Sequence, residues 1–194
     1  MNELSLDAQA SGFSERASDD AALVVAACRD RREFARLYER YADRLFRYAL
    51  ARTGSETAAD DIVSETMVAA LEGLSRFDPA RGSFAGWLFA IAARKLADRG
   101  RRQGRVQRLV GRLRGAESTD EDTLDTVIRG ENAALVRRLL AGLSARDREL
   151  VLLRYSSGLN STEIAEALGM SSGAARVRLM RVLQRLATEL GDDR

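Results

Sequence analysis

The chain has 194 residues, of which 45% are hydrophobic and 31% charged, enough apolar material for a buried core and too much for a wholly disordered polymer. One cysteine and no histidine argue against an internal disulfide, a His- or Cys-based metal site, and the Ser-His and Cys-His nucleophile pairs, so neither a metal nor a catalytic residue is expected. Net charge is only +2, but the 31 basic residues, all arginine except Lys95, are unevenly spread.

A single proline, Pro79, in a chain dominated by Ala, Leu, Arg and Glu predicts an all-α protein. No apolar run approaches the roughly 20 residues of a membrane span, and Met1 to Ala10 does not read as a secretory signal. A cytoplasmic protein that does not insert in membranes is expected. Cys28 is expected to be a small buried hydrophobe on a helix.

Residues 1–18 are polar and aperiodic and are read as a tail. Helix is expected to begin after Ser18 or Asp19 and to cover Ala21 to Cys28. Arg32 to Thr53 follows as an amphipathic helix, with Phe34, Leu37, Tyr38, Tyr41, Leu45, Tyr48 and Ala49 at three-and-four spacing. Gly54 stops it, Ser55 caps the next helix, and Ile62, Val63, Met67, Ala70, Leu71 and Leu74 form that helix's apolar stripe. Pro79 and Gly82 make a loop of residues 77–83. Ser83 caps a helix bearing Phe84, Trp87, Leu88, Ile91 and Leu96.

That helix runs into nine basic residues between Arg94 and Arg114, opposed only by Asp98, after which Glu117 to Ile128 is acidic. The basic block is the footprint of a phosphate-backbone binder, or a merely solvated arm. Glycines 100, 104, 111 and 115 and the acidic stretch mark residues 103–130 as a linker, dividing the chain into a domain at 19–102 and a second at 131–194. The second reads as four helices: Glu131 to Leu143, Ser144 to Ser157, Asn160 to Leu168 and Ser171 to Leu190.

Asn160 and Glu163 fit a reciprocal N-terminal cap. The short helix it starts ends at Gly169, and a longer one follows with Arg176, Arg178, Arg181 and Arg185. Ala165 at the crossing, Gly169 in the turn and the slim start from Ser171 to Ala175 satisfy the requirements of a helix-turn-helix whose second helix enters a major groove. Arg176 can donate to guanine in fork geometry. Arg178, Arg181 and Arg185 form a phosphate-binding flank or a solvated face. Helix pairs of this kind also occur in bundles that bind nothing.

Two features of the first domain stand out. Asp60, Asp61 and Glu65 make an acidic patch, with Asp61 and Glu65 one turn apart; it suits a basic partner, or is an ordinary solvated face. Phe77, Phe84, Trp87 and Phe89 surround the Pro/Gly loop next to the arginine run, as a stacking platform for single-stranded bases requires. For Trp87 and Phe84 the alternative of simple core filling is the safer one.

The stretches Ala59-Asp-Asp-Ile-Val-Ser-Glu-Thr-Met67 and Gly82-Ser-Phe-Ala-Gly-Trp-Leu-Phe-Ala-Ile-Ala92, with Leu143 to Tyr155, Ile164 to Gly169 and Ser171 to Arg176, closely resemble the extracytoplasmic-function (ECF) sigma factors of bacterial RNA polymerase. The resemblance covers residues 30–102 and 131–190. It implies a sigma region 2 helical bundle at 19–102 and a sigma region 4 helix-turn-helix at 131–194. It also implies a dissociable subunit that joins core RNA polymerase through Asp60, Asp61, Glu65, Met67 and Leu71. On the same resemblance, Phe77, Asp78, Arg81, Ser83, Trp87, Arg94, Lys95 and Arg99 capture the melted −10 element as single strand. Ser161, Thr162, Ser171, Ser172, Arg176, Arg178 and Arg181 read the −35 element as duplex. The resemblance also implies a linker that passes through the polymerase toward the RNA exit path, which would suit the acidic Glu117 to Asp125 stretch as a mimic of nucleic-acid charge. No cofactor is implied, and an anti-sigma protein is a candidate partner.

The chain departs from the family at Ser64, Arg94, Gly100 and Ala174-Ala175, positions that bear on promoter sequence and on the polymerase contact. Two other functions are weighed against this one. A helix-turn-helix regulator that binds duplex DNA without polymerase has no need of the aromatic loop and acidic helix. An enzyme holding a divalent cation on Asp60, Asp61 and Glu65 predicts metal-stimulated turnover. The sequence leaves open how the two domains sit in the free protein.

Overall fold

The computed structural model describes residues 19–114 and 138–192. Helix α1 covers 19–29. A 3-10 turn at Arg31–Glu33 leads into α2, Phe34–Thr53. Gly54 closes α2 in the left-handed region at φ 66, its N–H returning to Leu50 O, and Ser55 caps α3, Glu56–Gly73, by accepting from Ala58 N. Two further 3-10 turns, Leu74–Arg76 and Pro79–Arg81, carry the loop to α4, Phe84–Arg114.

In the second half, a helical stretch at 138–141 (α5) precedes α6, Ala145–Tyr155, α7, Ser161–Leu168, and α8, Ser172–Asp192. The reciprocal cap expected at Asn160 and Glu163 is present in both directions, and Gly169 ends α7 at φ 62. There is no strand among the described residues, and the all-α expectation holds.

The stripes read from the sequence point inward. Leu37, Leu45, Tyr48, Ile62, Leu88 and Phe89 are at most 1% exposed, and full burial of an aliphatic or phenyl side chain is worth about 1.5–3 kcal/mol. Leu150, Leu153, Leu159, Ile164 and Val182 do the same in the second half. The two sets are not separate cores: they join into one contiguous apolar cluster.

Three expectations are corrected. Residues 103–114, read as linker, continue α4 as helix, because isolated glycines cost a long helix only about 1 kcal/mol each and do not stop it. Cys28 is exposed rather than buried, since Leu23, Val24 and Ala27 take the inner face of α1. Tyr38, placed on the α2 stripe, is 46% exposed; one residue beyond Leu37, it lies about 100° around the helix. The tail at 1–18, the acidic 117–125 stretch, the rest of the linker and residues 131–137 lie outside the described residues.

Candidate nucleic-acid and polymerase interfaces

The Pro/Gly loop and the start of α4 form one aromatic cluster. The Phe77 ring meets Phe84 edge-on at 5.7 Å and Trp87 at 5.3 Å, while Phe84 also contacts Tyr41 at 5.4 Å. Burial sorts these rings. Phe84 is 2% exposed and Phe89 fully buried, so both are core, whereas Phe77 and Trp87 are half-buried and are the rings able to offer a face to a base. Asp78 accepts from Ala80 N to shape the loop, Arg81 is exposed, and Ser83 caps α4 by accepting from Gly86 N.

The cations of α4 and the acids of α3 face each other. Lys95 Nζ lies 3.3 Å from Glu65 and Arg99 lies 3.3 Å from Asp61, so residues assigned to two different partners pair with one another. The acids of both pairs are exposed and the cations half-buried, and ion pairs at such a surface contribute little to stability and exchange for other partners. Arg94, exposed beside them, is not drawn into either pair.

Met67, placed in the polymerase-docking set, is 4% exposed and belongs to the core, as the apolar stripe containing it dictates. Leu71 is half-buried against the same core. The exposed face of α3 instead carries Asp60, Asp61, Ser64, Glu65 and Val68. Val68, 56% exposed, was missed; the available signal was a β-branched apolar residue off the stripe, three positions after Glu65.

In the helix-turn-helix, Ala165 is 3% exposed at the crossing and Ser171 Oγ caps the start of α8 by accepting from Ala174 N. Ser171, Ser172, Arg176 and Arg181 are exposed along α8, as is Thr162, while Ser161 is half-buried. Arg178 does not join them. It donates to Asp147 Oδ1 at 2.6 Å, and Arg185 lies 3.7 Å from the same carboxylate, tying α8 to α6. Burial alone would raise the Asp147 carboxyl, but the Arg178 and Ser144 hydrogen bonds and the charge of Arg185 hold it below its ordinary value. Val177 and Met180, exposed at 42% and 52%, stand beside Arg176 and Arg181 and were not singled out from the sequence.

The structure also brings the two domains into contact. Helix α7 lies against α4 more extensively than against any other element. Glu166 of α7 accepts from Ser83 N at 3.0 Å and Ser83 Oγ at 2.5 Å. Arg44 of α2 donates to Ser157 O at 2.8 Å. Tyr48 donates to Glu149, which Arg52 also holds at 2.9 Å; complete burial, then the Glu149 charge, push the Tyr48 hydroxyl well above its ordinary value.

Comparison with known proteins gives the family of both halves. The sigma-70 region 2 family model matches residues 37–106 and the sigma-70 region 4 model residues 133–186. The chain is 33% identical over 176 residues to the ECF RNA polymerase sigma factor SigD of Mycobacterium tuberculosis, covering 88% of this chain and 83% of that protein. It is 30% identical over 161 residues to the ECF RNA polymerase sigma factor BldN of Streptomyces coelicolor, covering 82% of this chain and spanning 61% of BldN. Among solved structures, CnrH in complex with the cytosolic domain of CnrY superposes with a TM-score of 0.65 at 30% identity, over 90% of this chain and 99% of that one.

Proposed function

Since the chain belongs to the sigma-70 family of RNA polymerase sigma factors, in the ECF group, we propose that it is a dissociable initiation subunit that joins core RNA polymerase and directs it to specific promoters. The observation that carries this reading is the presence of regions 2 and 4 in one chain and in order, at 37–106 and 133–186. A regulator that binds duplex DNA alone accounts for the second match and leaves the first without a purpose.

The geometry supports the following division of labour. Phe77 and Trp87 offer ring faces to unstacked bases, with Asp78, Arg81 and Ser83 in the adjoining loop and Arg94, Lys95 and Arg99 further along α4 for the strand backbone. Arg176 reads a base edge near the start of α8, while Ser171, Ser172 and Arg181 hold backbone. Asp60, Asp61 and Glu65, with Val68 among them, present an acidic face with an apolar centre to core polymerase. No chemistry is performed: the protein acts by binding and strand capture, in the cytoplasm with the polymerase. The solved structure of CnrH holds the cytosolic domain of CnrY, which supports an anti-sigma protein as a candidate partner of this chain.

The test is reconstituted transcription. Purified chain added to core polymerase should yield discrete promoter-specific transcripts from genomic fragments. Binding of duplex DNA with no polymerase-dependent transcript would favour the regulator instead.

A further inference from the structure

Helix α8 presents two apolar side chains at the centre of its outward face. Ala175, Leu179 and Val182 are at most 8% exposed and hold the inner face of α8 against the bundle. At about 100° per residue, the row opposite them runs through Gly173, Val177, Met180 and Gln184, and all four are exposed. Arg176 and Arg181, also exposed, lie about 70° to either side of that row. The middle of the face is therefore Val177, 42% exposed, and Met180, 52% exposed, with an arginine at each edge. Charges on both edges fit the two phosphate-lined walls of a DNA groove. A protein partner that matched the apolar pair would desolvate both arginines beside it.

A side chain at the centre of this face meets the floor of the major groove. There the base edges present donors, acceptors and one apolar group, the C5-methyl of thymine. An isopropyl or thioether group packed on a donor or acceptor strips its water and returns no comparable hydrogen bond. Packed on a methyl group, it gains apolar burial instead. We propose that Val177 and Met180 are specificity-determining residues that read thymine 5-methyl groups on neighbouring base pairs of the duplex element. The proposal rests on the reading of α8 as the duplex-reading helix and adds the chemical group that it selects. The two residues are about 4.5 Å apart along the helix axis, near the roughly 3.4 Å step between base pairs, so they address adjacent pairs while Arg176 reaches the polar edge of a pair beside them.

Duplexes are selected from a random-sequence library by the full-length chain, alone and joined to core polymerase. Each thymine of the selected element is then replaced by deoxyuridine, which removes the 5-methyl group and keeps every hydrogen-bonding position. Replacement at one or two adjacent positions should weaken binding about fourfold each, the factor that one buried methyl is worth. Val177→Ala and Met180→Ala should each lose that penalty at one position. Alanine favours helix more than either residue it replaces, so neither change gives a reason to unfold, and circular dichroism checks this. No selected duplex, no thymine whose methyl matters, or a penalty undiminished in both variants overturns the proposal. So does lost affinity for core polymerase with unchanged duplex binding in the variants, which would make the pair a protein-docking face. Transcription by the wild type with core polymerase is scored separately: its absence overturns the proposed function, while methyl readout by the chain alone stands or falls on the duplex titrations.

Discussion

Arg176 and Arg178 stand two positions apart on α8 and face opposite ways. Arg176 is exposed near the start of the helix, and Arg178 is spent on Asp147. Arg176→Ala should therefore cost about 1–3 kcal/mol on the preferred upstream element and relax its base preference. Arg181→Ala should weaken binding to all sequences alike and lower the salt slope by about one contact. Promoter-selective transcription at two salt concentrations separates the two; equal, sequence-independent losses would mean that Arg176 does not read bases. Arg178→Ala belongs to stability, as does its partner. Asp147 is held below its ordinary value, so the unfolded chain binds the proton more readily. The pair's contribution is therefore full above the ordinary carboxylate range and is lost as pH falls through the lowered native value. Asp147→Asn should destabilise by about 1–2 kcal/mol at neutral pH, with the difference shrinking in denaturant titrations at acid pH.

At the scale of the element, α3 and α4 carry the informative changes. Asp61 and Glu65 pair loosely with Arg99 and Lys95 at the α3–α4 surface. Reversing both acids to lysine should leave the fold intact while weakening binding to core polymerase, because exposed charges steer association more than they stabilise. Unchanged affinity of the folded double variant would remove α3 from the docking face. Helix α4 continues through Gly100, and a Cβ there meets nothing within 4 Å. Gly100→Ala should stabilise the protein by up to about 1 kcal/mol, as for a glycine in an exposed helix interior. A lowered melting temperature would contradict the helical reading of this stretch.

At the scale of the whole molecule, the closed chain cannot serve a promoter. Elements about 25 base pairs apart lie roughly 85 Å apart along the duplex at about 3.4 Å per base pair, whereas Glu166 in the second domain touches Ser83 in the first. The extension of α4 shortens the available tether: residues 103–114 advance about 18 Å as helix, and residues 115–130 reach at most about 55 Å if extended. The bodies of the domains must cover the rest. Removing half of residues 115–130 should abolish transcription from promoters that need both elements while leaving the affinity for core polymerase unchanged; full activity of the shortened chain would show that the tether is not the limit.

Much of this was legible in the chain itself, because helix periodicity, caps and turn glycines are local. The α2 and α3 stripes, the Ser55 and Asn160 caps and the stops at Gly54 and Gly169 all lie where spacing and residue type put them, and two motif sets in order sufficed for the family. What the sequence could not supply was partnership across distance. Arg178 looks like Arg181 until Asp147, 31 residues away, is brought to it. Met67 looks available until the bundle closes over it. The run of glycines reads as a linker because propensity is a weak local cost, which the continuing hydrogen bonds of α4 outweigh. The seat of Glu166 on Ser83, between residues 83 positions apart, has no trace in either segment. Its existence depends on two helices meeting at one point with Gly82 and Gly86 beneath them, and only the tertiary structure decides that.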